Sequence, residues 1–235
     1  MKFSIVIPFF NEEENIKPLI DEIQNSLKIN KFEYELILIN DHSTDATLQL
    51  LNEIKNKLNI RVEIINNHTN LGQSLSIYNG IKQSNYDVIV TLDGDGQNNP
   101  INIPFLVETY FLEKNISLIG GIRVKRKDKL IKRVSSRIAN KIRSAILNDN
   151  CSDTGCSLKV FDKRVFLSFP YFDGIHRFLP ALFSGYSKNT MFINVDHRPR
   201  KYGYSKYGTM KRLLKGIIDI FRVIIIINRF KKKDV

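Results

Sequence analysis

The strongest constraint on the fold is a rhythm. Short apolar runs rich in β-branched residues alternate with stretches whose apolar residues recur every three or four positions. The first run is FSIVIPFF at 3–10, a strand with Pro8 near its end, where a missing ladder donor does least harm. Residues 12–30 follow as a helix, with Ile16, Leu19, Ile20, Ile23 and Leu27 on one face. Asn11 is placed to cap it, and Glu12, Glu13 and Glu14 suit its positive end. The alternation continues with strands expected at 34–39, 60–65, 86–92 and 116–121, and helices at 45–58, 74–84 and 102–113. Such a βα succession implies an α/β fold on a mostly parallel sheet. The second half is less regular. It carries an amphipathic helix at 130–147, a short strand at 157–161, a helix at 175–184, a strand at 190–195 and a final helix at 209–230. Residues 1–208 read as one domain and 209–235 as a basic amphipathic extension. The apolar cluster at 223–227 is too short to span a bilayer, but a helix of this kind can lie on a membrane surface.

Charge narrows the function classes. The 235 residues carry a formal net charge of +12, concentrated in two segments. Residues 123–143 hold ten Lys or Arg against one acid, and 198–235 hold twelve against two. Phosphates attract such segments, whether on a nucleic acid or on an anionic lipid. No helix-turn-helix, RNP or zinc signature supports the nucleic-acid alternative. Cys151 and Cys156, the two cysteines, are too few for a zinc site. With no secretory leader read at the start, they point to a reducing compartment.

In open α/β sheets ligands bind at the carboxyl ends of the strands. Three polar loops fall there: Pro8 to Glu14, Asn40 to Asp45, and Asp93-Gly94-Asp95-Gly96-Gln97. None is a glycine-rich dinucleotide loop or a GxxxxGK phosphate loop. Asp93 and Asp95, on a short turn after a buried strand, can share one hard divalent cation, Mg²⁺ or Mn²⁺, with Gln97 adding an oxygen or a water contact. The alternative is a solvated turn. Asp41 and Asp45 can receive donors from a base or ribose, or the 43–45 run can cap the next helix. Phosphoryl chemistry needs cations opposite the metal, and Arg123, Arg133, Arg200 and Lys206 are the candidates. Arg200, Ser205 and Lys206 sit on a glycine-bearing segment suited to a lid over a phosphate or to a plain surface loop.

The ordered set of motifs resembles the family 2 nucleotide-sugar glycosyltransferases, and within them the dolichol-phosphate mannosyltransferase and polyprenyl-phosphate sugar transferase group. The match runs through IVIPFFNEEENI (5–16), INDHSTDAT (39–47), NLGQS (70–74) and TLDGDGQNNP (91–100). It continues through SSRIAN (135–140), SDTGCSLKVF (152–161), DGIHRFLPAL (173–182) and DHRPRKYGYSKYG (196–208). The resemblance implies a single A-type glycosyltransferase domain, a GDP- or UDP-sugar donor and a polyprenyl-phosphate acceptor. It places Pro8, Asn11 and Glu12 around base and ribose, Asp41 on the base, and Asp93, Asp95 and Gln97 around the metal on the donor diphosphate. It places Arg123, Arg133 and Ser136 toward the acceptor phosphate, Asp153 in the floor of the site, and His176 and Arg177 on the acceptor side. Arg200, Ser205 and Lys206 would close over the phosphates, with Asp95, Asp153, Arg200 and Lys206 as the catalytic set. Two departures stand out. Asn40-Asp41 replaces the two acids the family often carries, and glycines at 94 and 96 are expected to loosen the metal turn. The transmembrane helices of some relatives are not seen, so surface association at the inner face of the membrane, an integral membrane partner or a homo-oligomer would bring the lipid within reach.

The expected reaction is a metal-dependent, inverting transfer of a hexose to a lipid phosphate. That acceptor is already anionic, so cations that bring two negative partners together matter more than a strong base. A same-fold enzyme acting on a glycan or small-molecule acceptor is the nearest alternative, and a basic nucleic-acid-binding module a distant one.

Overall fold

A computed structural model describes residues 1–29, 32–124, 141–200 and 209–232, with the helix backbone alone over 209–215. Seven strands form one sheet: β1 (Lys2–Phe9), β2 (Glu33–Asn40), β3 (Arg61–Asn66), β4 (Val88–Thr91), β5 (Ile116–Arg123), β6 (Lys159–Asp162) and β7 (Asn189–Val195). Their order is β3-β2-β1-β4-β6-β5-β7. β6 runs antiparallel to both its neighbours and every other pairing is parallel. The first half alternates these strands with α1 (Glu13–Leu27), α2 (Thr47–Lys57), α3 (Gln73–Gln83) and α4 (Ile103–Leu112). The second half adds helical residues 141–147 (α5), then α6 (Lys163–Ser168), α7 (Leu179–Gly185) and α8 (Thr209–Lys231).

Strand periodicity explains the two layers. Phe3, Ile5, Ile7 and Phe9 of β1 face one core with the apolar stripe of α1 and with Ile103, Leu106 and Val107 of α4. Val6, Ile37 and Ile39 face the other, with Ile77 and Ile81 of α3, Phe183 of α7, and Val223 and Ile227 of α8. The chain steps outward from β1 through β2 to β3 and then returns to the other side of β1 as β4. That reversal leaves a crevice at the carboxyl ends of β1 and β4.

The expected helix at 175–184 is two pieces. A 3₁₀ turn at Ile175–Arg177 ends before α7, which restarts with Pro180 in its first turn, where a missing N–H costs nothing. Helix α6 was not expected. Its start is marked by Asp162, whose side chain accepts from Val165 N. The expected helix at 130–147 is described only over 141–147. There the Arg143 guanidinium pairs with Asp149 and donates to the Cys151 carbonyl, both buried, which ties α5 to the chain leading to Asp153. The final helix docks on the domain through Asp219, Val223 and Ile227, spaced four apart, with Phe230 stacked on Tyr186 at 3.8 Å.

Candidate active site

The loop after β1 is shaped by the loop after β2. Asn11 takes a left-handed backbone (φ 51°) and does not cap α1. Its N–H donates to Ser43 Oγ (2.9 Å), and its side-chain oxygen accepts from Thr44 N (2.8 Å). Glu12 N donates to Thr47 Oγ1, while the buried Glu12 carboxylate accepts from Asn15 Nδ2 at 2.7 Å. Asp45 serves both loops, accepting from Thr47 N and from Glu13 N.

Asp41 ends β2 inside a ring of donors. Its two oxygens accept from Leu71 N (2.8 Å), Gly72 N (2.9 Å) and Asn67 Nδ2 (2.9 Å). The buried carboxylate therefore holds the turn that starts α3. Gln73, in the first turn of that helix, donates from Nε2 to Asp93 Oδ1 at 2.6 Å. The next residue, Ser74, accepts from Gly174 N and shares a hydrogen bond with His176 Nδ1, both at 2.8 Å. The NLGQS motif thus supplies contacts to both halves of the site, and neither Gln73 nor Ser74 was given a role from the sequence.

The acidic turn follows β4. Gly94 is pressed against β1: a Cβ there would lie 2.5 Å from Phe9 Cδ1 and 2.8 Å from the Pro8 carbonyl oxygen. The expected looseness is absent at this position, because the missing side chain is what lets the turn sit on the strand. Gly96 has φ +67°, and Gln97 N donates back to Asp95 Oδ1 (3.1 Å). Burial, and then the neighbouring Asp95 charge, push the Asp93 carboxyl up to about 6, against the pull of Ser157, Lys159 and Arg123.

Two basic groups reach this turn from the segment after β7. Asn98 and His197 form an antiparallel bridge, and Gln97 and Arg198 exchange backbone and side-chain bonds. Arg198 forks onto Glu22 at 3.0 and 2.6 Å and also reaches the Gly96 carbonyl. Arg200 bridges Asp95 Oδ2 (2.7 Å) and Glu12 Oε1 (3.4 Å). From the other side, Arg123 at the end of β5 makes a two-pronged pair with Asp153, both bonds 2.7 Å. Burial works against that guanidinium, but the Asp153 carboxylate more than offsets it and its pKa is raised. Lys159 on β6 is buried within electrostatic reach of Asp93 and Asp153, its Nζ donating to the Cys156 carbonyl, and burial lowers its pKa. Lys159 and Arg198 lie within the SDTGCSLKVF and DHRPRKYGYSKYG motifs but were given no role from the sequence, and Glu22 lies outside every motif.

The structure therefore gathers Pro8, Asn11, Glu12, Asp93, Asp95, Gln97 and Arg200 around one crevice edge, with Asp41 behind it and the Arg123–Asp153 pair beside it. His176 joins through Ser74, and Arg177 bonds instead to Asp219 of α8. Arg133, Ser136, Ser205 and Lys206 lie outside the described residues. Among the described residues, no cluster of three or more His, Cys, Asp or Glu side chains is placed to hold a metal by itself.

A strand order with one antiparallel member, and an acidic turn in the crevice beside β1, define an A-type glycosyltransferase fold. Solved structures of glucosyl-3-phosphoglycerate synthase from Mycobacterium tuberculosis share it. The complex with Mn²⁺, uridine diphosphate and phosphoglyceric acid superposes with a TM-score of 0.69 at 16% identity, covering 95% of this chain and 77% of that one. The chain belongs to glycosyl transferase family 2, whose family model matches residues 4–168. Similar curated proteins include the undecaprenyl-phosphate 4-deoxy-4-formamido-L-arabinose transferase of Yersinia pestis, 33% identical over 219 residues, 93% of this chain and 66% of that one. The dodecaprenyl-phosphate galacturonate synthase of Rhizobium johnstonii is 32% identical over 226 residues, 95% of this chain and 66% of that one. The chain thus spans 66% of the length of these relatives.

Proposed function

We propose that the chain transfers a sugar, a hexose, from a GDP- or UDP-linked donor to a polyprenyl phosphate, in one displacement with inversion at the anomeric carbon. The single observation that carries this reading is the meeting of the Asp93–Gln97 turn with Arg200 and Arg123 at one crevice edge, in a chain whose relatives are named for polyprenyl-phosphate sugar transfer. Family membership weighs against the nucleic-acid module that the charge alone left open.

The residues present suit a divalent cation. Two carboxylates face each other closely enough for Asp95 to raise Asp93, a repulsion that a hard cation relieves, and carboxylate, amide and phosphate oxygens are the ligands Mg²⁺ and Mn²⁺ prefer. Asp93, Asp95 and Gln97 would hold it, and when bound it would neutralise the departing nucleoside diphosphate. The chain's own groups do the rest. Asn11, Glu12 and Asp41 shape the base and ribose side, Asp41 by fixing the 67–72 turn. Arg200 stands beside the acidic turn, where negative charge develops on the leaving group. Arg123, held rigid by Asp153, His176 and Arg177 face the acceptor phosphate.

Surface association fits the same reading. Ile217, Ile218, Phe221 and Ile225 of α8 are exposed, as are Ile142 and Ile146 of α5, among basic neighbours. An anionic bilayer at the inner face of the membrane offers partners for both kinds of side chain. Among the described residues no helix is long and apolar enough to cross a membrane.

The test is a mass-spectrometric screen of sugar nucleotides with polyprenyl phosphate in detergent, with divalent metal supplied or chelated. Metal-dependent formation of a polyprenyl-phosphate sugar is expected. Transfer to a soluble phosphorylated acceptor, with none to the lipid, would overturn the acceptor assignment. Full activity in chelator would overturn the metal role.

A further inference from the structure

Helix α8 is basic and apolar over its length, and its one acid, Asp219, is the residue it buries most awkwardly. Asp219 shares the docking stripe of Val223 and Ile227, yet only 1% of it is exposed. A valine or leucine there would dock the helix without the cost of taking a carboxylate out of water. Among the described residues the carboxylate instead holds two guanidiniums. Oδ2 lies 3.4 Å from Arg177 Nη2, and Oδ1 lies 3.3 Å from Arg222 Nη1. The opposite wall is built to admit it. Gly174 has φ +113°, and a Cβ there would come within 2.7 Å of Asp219 Oδ2 and 3.1 Å of Arg177 Nη2. The same Gly174 donates its N–H to Ser74 Oγ, the hydroxyl that also meets His176. Among the described residues the buried Nε of Arg177 has no hydrogen-bond partner, so the link to Asp219 is what holds this guanidinium in place.

We propose that Asp219 is a positioning residue for the acceptor phosphate: it fixes Arg177 on the 174–177 turn and so ties the docking of α8 to acceptor recognition. This rests on the polyprenyl-phosphate reading above, which places Arg177 on the acceptor side. A helix that presents its outer apolar face to a lipid surface would thereby carry, on its inner face, the group that orients a phosphate-binding arginine. Contact with the surface and capture of the lipid phosphate become one event.

Asp219→Asn keeps the shape and the packing of α8 but removes the charge. With polyprenyl phosphate as acceptor, its KM is expected to rise about tenfold, the scale of loss when a binding group shifts by a fraction of an ångström. Donor KM and kcat are expected to stay within about twofold, as for a group acting only on acceptor binding. In an Arg177→Gln background the same change is expected to add nothing further, because the two act through one contact. An unchanged acceptor KM, equal losses for donor and acceptor, or additive effects of the two substitutions would each overturn the proposal while leaving the function reading intact. Should the wild type use no polyprenyl phosphate, the function reading fails, and hydrogen exchange decides what Asp219 does. Exchange of the 174–178 amides about tenfold faster in Asp219→Asn, a sign of local opening, supports the positioning role. Unchanged protection overturns it. If Asp219→Asn does not fold, Gly174→Ala crowds the carboxylate away without substituting any residue of α8 and is expected to give the same acceptor-selective loss, whose absence refutes the proposal.

Discussion

Gly94 is the point at which the acidic turn is most exposed to a small perturbation. In Gly94→Ala the new methyl would sit 2.5 Å from Phe9 Cδ1, 2.8 Å from Phe9 Cε1 and 2.8 Å from the Pro8 carbonyl oxygen. Carbon atoms rest at about 3.5–4.0 Å, so something must move by about 1 Å. Phe9 is hemmed in by the core, and the Pro8 carbonyl belongs to the central strand β1, paired on both sides. The turn itself is the part that yields, taking Asp93 and Asp95 with it. Overpacking of this kind costs about 1–3 kcal/mol of stability. A shift of about 1 Å in a reacting assembly costs about 10²-fold in rate. Gly96→Ala is the internal control. Its Cβ would meet only Asn15 Oδ1 at 3.7 Å, so its cost is the left-handed backbone alone, about 1–2 kcal/mol. Urea denaturation measures the first quantity and steady-state turnover the second, and calorimetric titration of Mn²⁺ with nucleoside diphosphate reads the affinity that the displaced turn would lose. Both variants are expected to lose stability, but Gly94→Ala is expected to lose the larger share of metal-dependent nucleotide affinity. A Gly94→Ala protein with wild-type affinity and turnover would refute the claim that the turn is seated on β1 by that missing side chain.

Three further outcomes follow from the same geometry. Glu35 is fully buried and accepts from Ser4 Oγ, Asn85 N and Asn85 Nδ2, all at 2.6 Å, while the exposed Arg61 has its Nε 3.1 Å away; Glu35→Ala strands the buried Ser4 hydroxyl and is expected to cost about 1–3 kcal/mol in urea denaturation with turnover of the folded fraction unchanged. Asp41→Ala strands Leu71 N, Gly72 N and Asn67 Nδ2, at about 2–3 kcal/mol of stability, and is expected to weaken donor binding in titration calorimetry because Gln73 loses its fixed reach to Asp93. Arg200→Ala is expected to lower kcat by about 10²–10³, the usual loss for one charge-stabilising donor, with a smaller change in donor affinity; steady-state kinetics showing equal losses would remove Arg200 from the closing role.

What the sequence made legible was whatever local periodicity encodes. The alternation of 3–10, 34–39, 60–65 and 86–92 with amphipathic helices located β1 to β4 because each strand is a short β-branched apolar run and each helix shows one apolar stripe. The DGDGQ turn was legible because two carboxylates after a buried strand are costly without a partner. The antiparallel entry of β6 between β4 and β5 was not, since VFD carries no signal of direction. Lys159 read as one more basic residue; only the fold shows that it lies within electrostatic reach of Asp93. Asn11 looked like a cap for α1, and it bonds across to the next loop instead, because its left-handed backbone turns the side chain toward Thr44. The looseness expected at Gly94 was a misreading for a related reason: composition reports that a side chain is missing but not what occupies its place.

The first turn of α3 is where the two halves of the site are joined. Residues 73 and 74 are adjacent, and successive helix positions point about 100° apart, so they reach different walls. Gln73 is turned to Asp93, on the proposed donor side, and Ser74 to Gly174 and His176, on the proposed acceptor side. Behind them Asp41 holds the turn from which the helix starts. A displacement of this turn would therefore move both walls together and preserve the distance between them. A two-substrate displacement needs that distance to be constant, because the attacking oxygen and the leaving diphosphate must stay in line while each substrate is captured separately. On the proposed reading the same connection gives a loop without charge, NLGQS, a larger share of the site's geometry than the basic segments: those would supply affinity for phosphate, and α3 would supply the spacing at which two phosphates can be used.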